Sequence, residues 1–359
     1  MKTSRYVWII ACMLSVCQIN VGKGHILHRE KTPMRVIFET DMGNDVDDVL
    51  ALDMLDMYMK EGKVNLLAIC SNKENKYSAE FIDIMNTWMG HSLIPIGIIH
   101  NGPDCENDAK NYAQCVTDSS VSGHPLFLRS IANYKLLPDA TELYRKILSK
   151  QPDHSVVIIS TGFSTNLARL LETKPDKYSS LSGRQLVAKK VQLLSVMAGS
   201  FEEKSVKEYN IMKDIESAKR VFSSWPTRIV DDPFEIGIQI TYPANSIEND
   251  FKWAAENPVV DAYKCYMPMP YDRPTWDLCA VLYAIEPHGN YFSISQPGKI
   301  RVENQGYTHF TKQKNGNCFY LNVSPKQAKR IRTHFIQMIT ADPRCIKSEE
   351  DHFKISSLQ

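Results

Sequence analysis

The chain is expected to fold as an α/β protein on a doubly wound, mostly parallel sheet, with hairpins and a helix at its C-terminal end. Three observations predict this. Short apolar, β-branched runs alternate with stretches whose apolar residues recur every three or four positions; no linker, repeat or low-complexity segment breaks the alternation; and polar or acidic residues gather just after several runs, where open parallel sheets bind ligands. With 359 residues, 43% hydrophobic and a formal net charge of +1, the chain can bury a sizeable core and has no bulk attraction to nucleic acid or membrane.

Residues 1–24 stand apart. Lys2 and Arg5 precede an apolar run from Tyr6 to Cys17, and polar residues follow, which is the layout of a signal peptide too short to span a membrane. An exported protein is the expectation. Cys12 and Cys17 raise the further option of a lipid anchor, although the run before Cys12 is short and Val16 stands where a small residue is wanted before Cys17.

One catalytic domain is expected over residues 34–342. Val36-Ile37-Phe38 is its first strand, and Leu52, Leu55 and Met59 lie at helical spacing after it. Residues 64–70 read as the second strand, and Phe81, Ile84, Met85 and Trp88 form the stripe of a helix ended by Gly90. Strands follow at 94–99, 155–159 and 191–197, with helices at 141–150, 166–172 and 214–222. From Tyr291 to Asn322 short strands with turn signals at Pro297-Gly298 and Asn315-Gly316-Asn317 read as a hairpin pair. A last helix over 324–340 carries Ala328, Ile331, Phe335 and Met338 on one face.

Beyond the leader there are seven cysteines, an odd number without a Cys-x-x-Cys pair, which argues against a zinc site and against a fully stapled framework. Cys105 and Cys115 could close a small loop. Cys70 and Cys279 sit in apolar segments and read as packed thiols.

The chemistry is expected at Glu39-Thr40-Asp41-Met42-Gly43-Asn44-Asp45-Val46-Asp47-Asp48, between the first strand and the first helix. Asp45 suits a helix N-cap, and Asp47 and Asp48 in a first turn complement the helix dipole. Asp41 is left over, and like charges about 4 Å apart repel by roughly 4 kcal/mol at an effective dielectric near 20. A bound cation removes that cost. Oxygen-only ligands point to Ca²⁺ or Mg²⁺, of which Ca²⁺ better tolerates a crowded, irregular shell. An EF-hand is excluded because Val46 and Leu52 stand where that loop needs Gly and Glu. An aspartyl-phosphate mechanism is disfavoured because position 39 is Glu.

This acidic stretch followed by an apolar helix resembles the signature of the nucleoside hydrolase family, in which an Asp-Pro-Gly-x-Asp-Asp turn carries calcium ligands and the catalytic base. Met42 replaces the proline, and two additional residues precede the final acidic pair. Asp41 and Asp48 map onto the family's pattern, while Asp45 and Asp47 compete for the middle acid. Ser160-Thr161-Gly162-Phe163-Ser164-Thr165-Asn166 is similar to a family turn whose first Thr offers its carbonyl to calcium, which makes Thr161 a ligand; on the residues alone the segment is a strand-turn-helix capped by Ser164 or Thr165. Glu208-Tyr209-Asn210 resembles a segment that faces the sugar hydroxyls, and Asn72 matches an asparagine that touches the ribose. Asp214 reads as the cap of the next helix. Arg273-Pro274-Thr275-Trp276-Asp277 resembles the family's His-Asp helix, with Asp277 as the last ligand and Trp276 in place of the histidine.

The resemblance spans roughly residues 34–287. It implies a Rossmann-like fold and calcium-dependent hydrolysis of the N-glycosidic bond of ribonucleosides, with salvage of purines or pyrimidines as the setting. The ion would hold a water and the ribose diol together, and Asp41 would take the water's proton. The partner is a small nucleoside or riboside, with a homo-oligomer as an open option. Two rivals stand beside this reading, a secreted nucleoside- or sugar-binding protein without turnover and a hydrolase of another furanoside. Loss of the leaving-group histidine favours the first; retention of all candidate ligands opposes it. Tyr209, Tyr271 and His100 are alternative proton donors.

Overall fold

The computed structural model describes residues 32–103, 111–201 and 206–345. The leader assignment, both of its cysteines and Cys105 therefore lie outside the described residues. The chain begins with β1 (Met34–Thr40), α1 (Asp47–Lys60), β2 (Val64–Ser71), α2 (Lys76–Met89) and a short β3 (Ile96–Gly97). After α3 (Tyr112–Thr117) and a small hairpin of β4 (Ser120–Val121) and β5 (His124–Pro125), α4 (Ala140–Leu148), β6 (Val156–Ser160), α5 (Thr165–Glu172) and α6 (Gly183–Lys190) restore the alternation. Next come β7 (Val191–Met197), α7 (Tyr209–Lys213), α8 (Ile215–Ser224), β8 (Arg228–Asp232), α9 (Phe234–Gly237), β9 (Thr241–Tyr242), α10 (Ala244–Asn249) and α11 (Pro258–Tyr266). The chain closes with β10 (Arg273–Pro274), α12 (Trp276–Ile285), β11 (Ser293–Ile294), β12 (Gly298–Val302), β13 (Thr308–Lys312), β14 (Cys318–Asn322) and α13 (Pro325–Ile339).

The main sheet runs β13-β12-β14-β8-β7-β6-β1-β2-β3 and is parallel from β14 to β3. β1 holds its centre because it is apolar on both sides: Val36 and Phe38 enter one core and Ile37 the other. The first core is covered by α1, α2, α11, α12 and α13, the second by α4, α5, α6 and α8. This is the expected doubly wound architecture. The described residues from Pro33 onward form one compact unit, and no described helix is long and apolar enough to cross a membrane.

Three of the differences from expectation bear on the sheet. β3 contracts to two residues, since Pro95 has no N–H to give a ladder and only Ile96 and Gly97 pair with β2. β8 goes unread in the sequence because only Ile229 and Val230 are apolar before the strand ends in Asp231 and Asp232. At the C-terminus the β12–β13 hairpin turns at Gly306, whose φ of 85° needs a residue without a Cβ, and not at Pro297-Gly298. β14 then pairs antiparallel with β12 and parallel with β8, so this region extends the main sheet.

The proposed Cys105–Cys115 loop is not the pairing found. Cys115 on α3 is bonded to Cys265 on α11, 150 residues away. Sequence spacing cannot reveal such a pair, because packing of two helices brings it together. Cys70 and Cys279 are buried free thiols.

Candidate active site

β1 delivers the acidic turn to the carboxyl edge of the sheet, between its neighbours β2 and β6. Gly43 has a φ of 110°, open only to a residue without a Cβ, and its N–H donates to the Tyr112 hydroxyl at 2.8 Å. Met42 is fully buried: its carbonyl accepts from Ser78 Oγ at 2.6 Å and its sulfur from the Tyr112 hydroxyl at 3.1 Å. The longer turn is thus held by α2 and α3 as well as by its own chain.

Asp41, Asp47, Asp48 and Asp277 are all at most 4% exposed, yet they line one cavity of about 490 Å³ together with Asn44, Asp45, Thr161, Glu208 and Asn210. Thr40 Oγ1 donates to Asp48, and Thr161 Oγ1 lies 3.4 Å from the same oxygen. Asp47 Oδ2 accepts the N–H groups of Trp276 at 2.9 Å and Asp277 at 3.1 Å, so an acid from the first turn of α1 caps α12. This is why Asp277, 230 residues away, opens into the same cavity. Burial raises the pKa of Asp47, Asp48 and Asp277 well above the carboxylate range, and the other aspartates add to the shift.

Asp41 is raised to about 6 by burial, against the opposing pull of its hydrogen bond from Asn44 and of the Lys73 ammonium. Lys73 donates to Asn44 Oδ1 and Asn44 Nδ2 donates to Asp41, a relay from a buried cation to a buried acid. Neither residue was singled out in the sequence; a lysine directly after Asn72, at a strand end, was the available signal.

The remaining assigned residues divide. Glu208 caps α7, accepting from Asn210, Ile211 and Gly199 N–H groups, and burial lifts it to about 7. Asn210 Nδ2 donates to the Thr161 carbonyl at 3.2 Å. Asn72 does not line the cavity: it is fully buried, donates to Glu39 Oε2 at 3.0 Å and accepts from Phe163 N–H at 3.1 Å. It braces Glu39, which Asn166 also holds and which burial raises to about 8. Asp45 does not cap α1, whose N-cap is Val46; both of its oxygens accept from the Arg273 guanidinium. Asp214 caps α8 as expected, accepting from Ser217 N–H at 3.1 Å.

Trp276 lines the cavity, but its indole Nε1 donates to the Phe234 carbonyl. Phe234, Tyr266, Val206, Lys207, Tyr209 and Arg273 complete the wall. Of the alternative proton donors only Tyr209 is there. Tyr271 donates to the Tyr263 carbonyl at 2.7 Å, and exposed His100 lies elsewhere.

Oxygen donors alone line the acidic end, as a hard cation requires, and a cation there would offset the burial and repulsion that raise the pKa of these carboxyls. Among the described residues, however, no group of three or more His, Cys, Asp or Glu side chains is already arranged as a metal shell. The carboxyls are instead turned onto protein donors, Asp48 to Thr40 and Asp47 to the start of α12. The donor set fits the ion in kind.

Residues 36–337 match the family model described as inosine-uridine preferring nucleoside hydrolase. Among solved structures, a plant nucleoside hydrolase is 16% identical, with 86% of this chain and 100% of that chain covered at a TM-score of 0.67. The inosine-uridine preferring nucleoside hydrolase from Bacillus anthracis is 17% identical, with 85% and 99% covered at 0.62. The purine-preferring ribonucleoside hydrolase from Gardnerella vaginalis is 15% identical, with 85% and 98% covered at 0.66. Comparison with curated proteins finds no match. At such identities the structural likenesses speak for the fold, and the family model for descent.

Proposed function

The chain belongs to the inosine-uridine preferring nucleoside hydrolase family and is an N-glycosyl hydrolase of nucleosides, and on that premise we propose a calcium-dependent reaction with Asp41 as general base. The observation that carries this reading is the burial of Asp41, Asp48 and Asp277 around one cavity at the sheet's carboxyl edge. Asp41, Asp47, Asp48, Asp277 and the Thr161 carbonyl would hold the ion; Asp45, engaged by Arg273, stands aside as an assisting charge. When bound, Ca²⁺ would lower the pKa of a water and offset part of the charge of the acidic cluster.

The chain's own groups do the rest. Asn44, itself held by Lys73, orients the Asp41 carboxyl. Asp41 accepts a proton from the attacking water. The water oxygen bonds to the anomeric carbon as the N-glycosidic bond breaks and its electron pair leaves with the base. Glu208 and Asn210, which line the cavity, would hold the sugar hydroxyls, and negative charge from the buried acids favours the oxocarbenium-like transition state. The aromatic wall of Phe234, Tyr266 and Trp276 is suited to the base.

Ribose release from a panel of ribosides tests the reading. Asp41→Asn should lower the rate by at least about 10²-fold with substrate binding retained. Full activity in that variant removes Asp41 as the base, and turnover of non-nucleoside furanosides alone would favour the rival substrate class. The leader at residues 1–24 supports export, and the Cys115–Cys265 disulfide suits an oxidising compartment. Mass spectrometry of native protein should find an N-terminus between about residues 12 and 31; an intact Met1 on soluble cell-associated protein removes that claim.

A further inference from the structure

Trp276 gives its one N–H to the Phe234 carbonyl and leaves the departing base without a donor from that side chain, and the cavity wall shows how one can be supplied. Arg273 is gripped edge-on by Asp45, which accepts from Nε at 2.8 Å and from Nη2. Its guanidinium carbon lies 5.1 Å from the Tyr266 ring and 5.5 Å from the Trp276 ring. One carboxylate and two rings thus set the orientation of a planar cation whose Nη1 donates to no group among the described residues. Arg273 lines the same cavity as Asp41, on the aromatic side where a base would sit. The indole of Trp276 cannot do this work, since its one N–H is given to Phe234.

We infer that the free edge of Arg273 receives the negative charge of the departing group, so that the site favours ribosides whose base leaves as an anion with an oxygen acceptor beside the scissile bond. Pyrimidine-2,4-diones are of that class. An adenine-type base, which needs a proton on its ring, is not. The inference rests on the hydrolase reading above and extends it to the leaving group. In the step, the glycosidic bond breaks and its electron pair goes to the base nitrogen, delocalised onto the neighbouring oxygen. The water oxygen bonds to the anomeric carbon, and the water's proton goes to Asp41. Arg273 keeps its own protons and donates a hydrogen bond to the anion, which solvent protonates after release. Preorganised donors of this kind are worth about 10²–10³-fold in rate.

The test compares kcat/KM on uridine, 5-fluorouridine and nitrophenyl riboside for the parent, Arg273→Gln, Arg273→Lys, Lys207→Gln and the Asp45→Asn/Arg273→Gln double variant. Arg273→Gln should lose about 10²–10³-fold on uridine, less on 5-fluorouridine and least on the nitrophenyl riboside, steepening the dependence on leaving-group acidity. Ribose binding, read by calorimetry, should not change, and Arg273→Lys should recover part of the uridine rate. The double variant removes the carboxylate orphaned by Arg273→Gln, and it should stay as impaired on uridine as the single one. An equal loss on all three substrates, recovery of uridine hydrolysis in the double variant, or the steepened dependence appearing in Lys207→Gln instead would each overturn the assignment. A parent inert on every riboside would sink the hydrolase reading itself, which the other outcomes leave standing.

Discussion

Trp276 Nε1 donates to the carbonyl oxygen of Phe234 at 2.9 Å, and the two rings stack with centroids 5.5 Å apart. The packing is close: a Cβ added at Gly237 would come within 2.1 Å of the indole. The residue that replaces the family's histidine is therefore a wall tied to α9, with its only donor already used.

Trp276→Phe keeps an aromatic wall and removes that donor. A lost hydrogen bond of this sort costs about 1 kcal/mol, read as a fall in melting temperature. Relative rates on inosine and a nitrophenyl riboside should stay as in the parent, which is expected to favour the nitrophenyl substrate strongly because no indole can transfer a proton. A selective collapse of inosine hydrolysis in this variant would show that the indole N–H serves the leaving base after all.

The alternation of strands and helices was legible because period-2 and period-3.6 patterns are local, and β1 with its acidic turn is where one gives way to the other. Asp41, Asp48, Thr161, Glu208, Asn210 and Asp277 are brought to one cavity by strand ends and helix starts that the sequence marks. Arg273 was not legible as a functional group, because its role depends on Asp45, 228 residues away. The same holds for Lys73, whose burial follows from how the long turn folds over it, and for Cys115 with Cys265. Long-range packing left no local trace in these cases. Asn72 shows the opposite failure: its strand-end position is right, but both ends of its amide are consumed by Glu39 and Phe163.

Calcium should change the sign of what the acidic cluster contributes. Without the ion, Asp277→Asn removes a buried carboxyl among like groups and should raise the melting temperature. With calcium at about 100 times its Kd, the parent gains roughly 2.7 kcal/mol and the variants less. Asp48→Asn and Asp277→Asn should each weaken calcium by more than the roughly 10–100-fold that loss of an outer-shell partner costs. Thermal unfolding reads the first effect and titration calorimetry the second. No calcium response in the parent ends the metal assignment.

Arg145 is 2% exposed and gathers the loop after α5, donating to Asp176 from Nε at 2.6 Å and Nη2 at 2.9 Å and to Thr173 Oγ1 at 2.8 Å. The hydrogen bonds from Arg145 hold the Asp176 carboxyl down to about 2, below its ordinary 3.8. A folded-state pKa below the unfolded value stabilises at pH above about 4, and that stability is lost as pH falls through about 2. Asp176→Asn leaves a buried guanidinium without its counterion, at a cost of about 2 kcal/mol at neutral pH. The gap in melting temperature between parent and variant should close at acid pH; a gap that persists at pH 2 would assign the loss to packing.

The Cys115–Cys265 bond ties α3 to α11, and each helix carries a tyrosine into the site's surroundings. Tyr112, three residues before Cys115, accepts the Gly43 N–H, and Tyr266, next to Cys265, lines the cavity and lies under Arg273. The rings of Tyr112 and Tyr266 meet edge to face at 6.2 Å. Opening the bond frees a loop of 150 residues in the unfolded chain, and loss of a native disulfide typically costs about 2–5 kcal/mol. A Cys115→Ser/Cys265→Ser variant, which leaves no unpaired thiol at this position, should melt lower by that amount and should also lose rate, because Tyr112 no longer holds the acidic turn firmly. Tyr112→Phe separates the two effects: it keeps the crosslink and deprives Gly43 of its acceptor, so it should lower kcat with a smaller fall in melting temperature. If the double serine variant melted lower with kcat unchanged, the crosslink would stabilise the fold without bearing on the turn that carries Asp41.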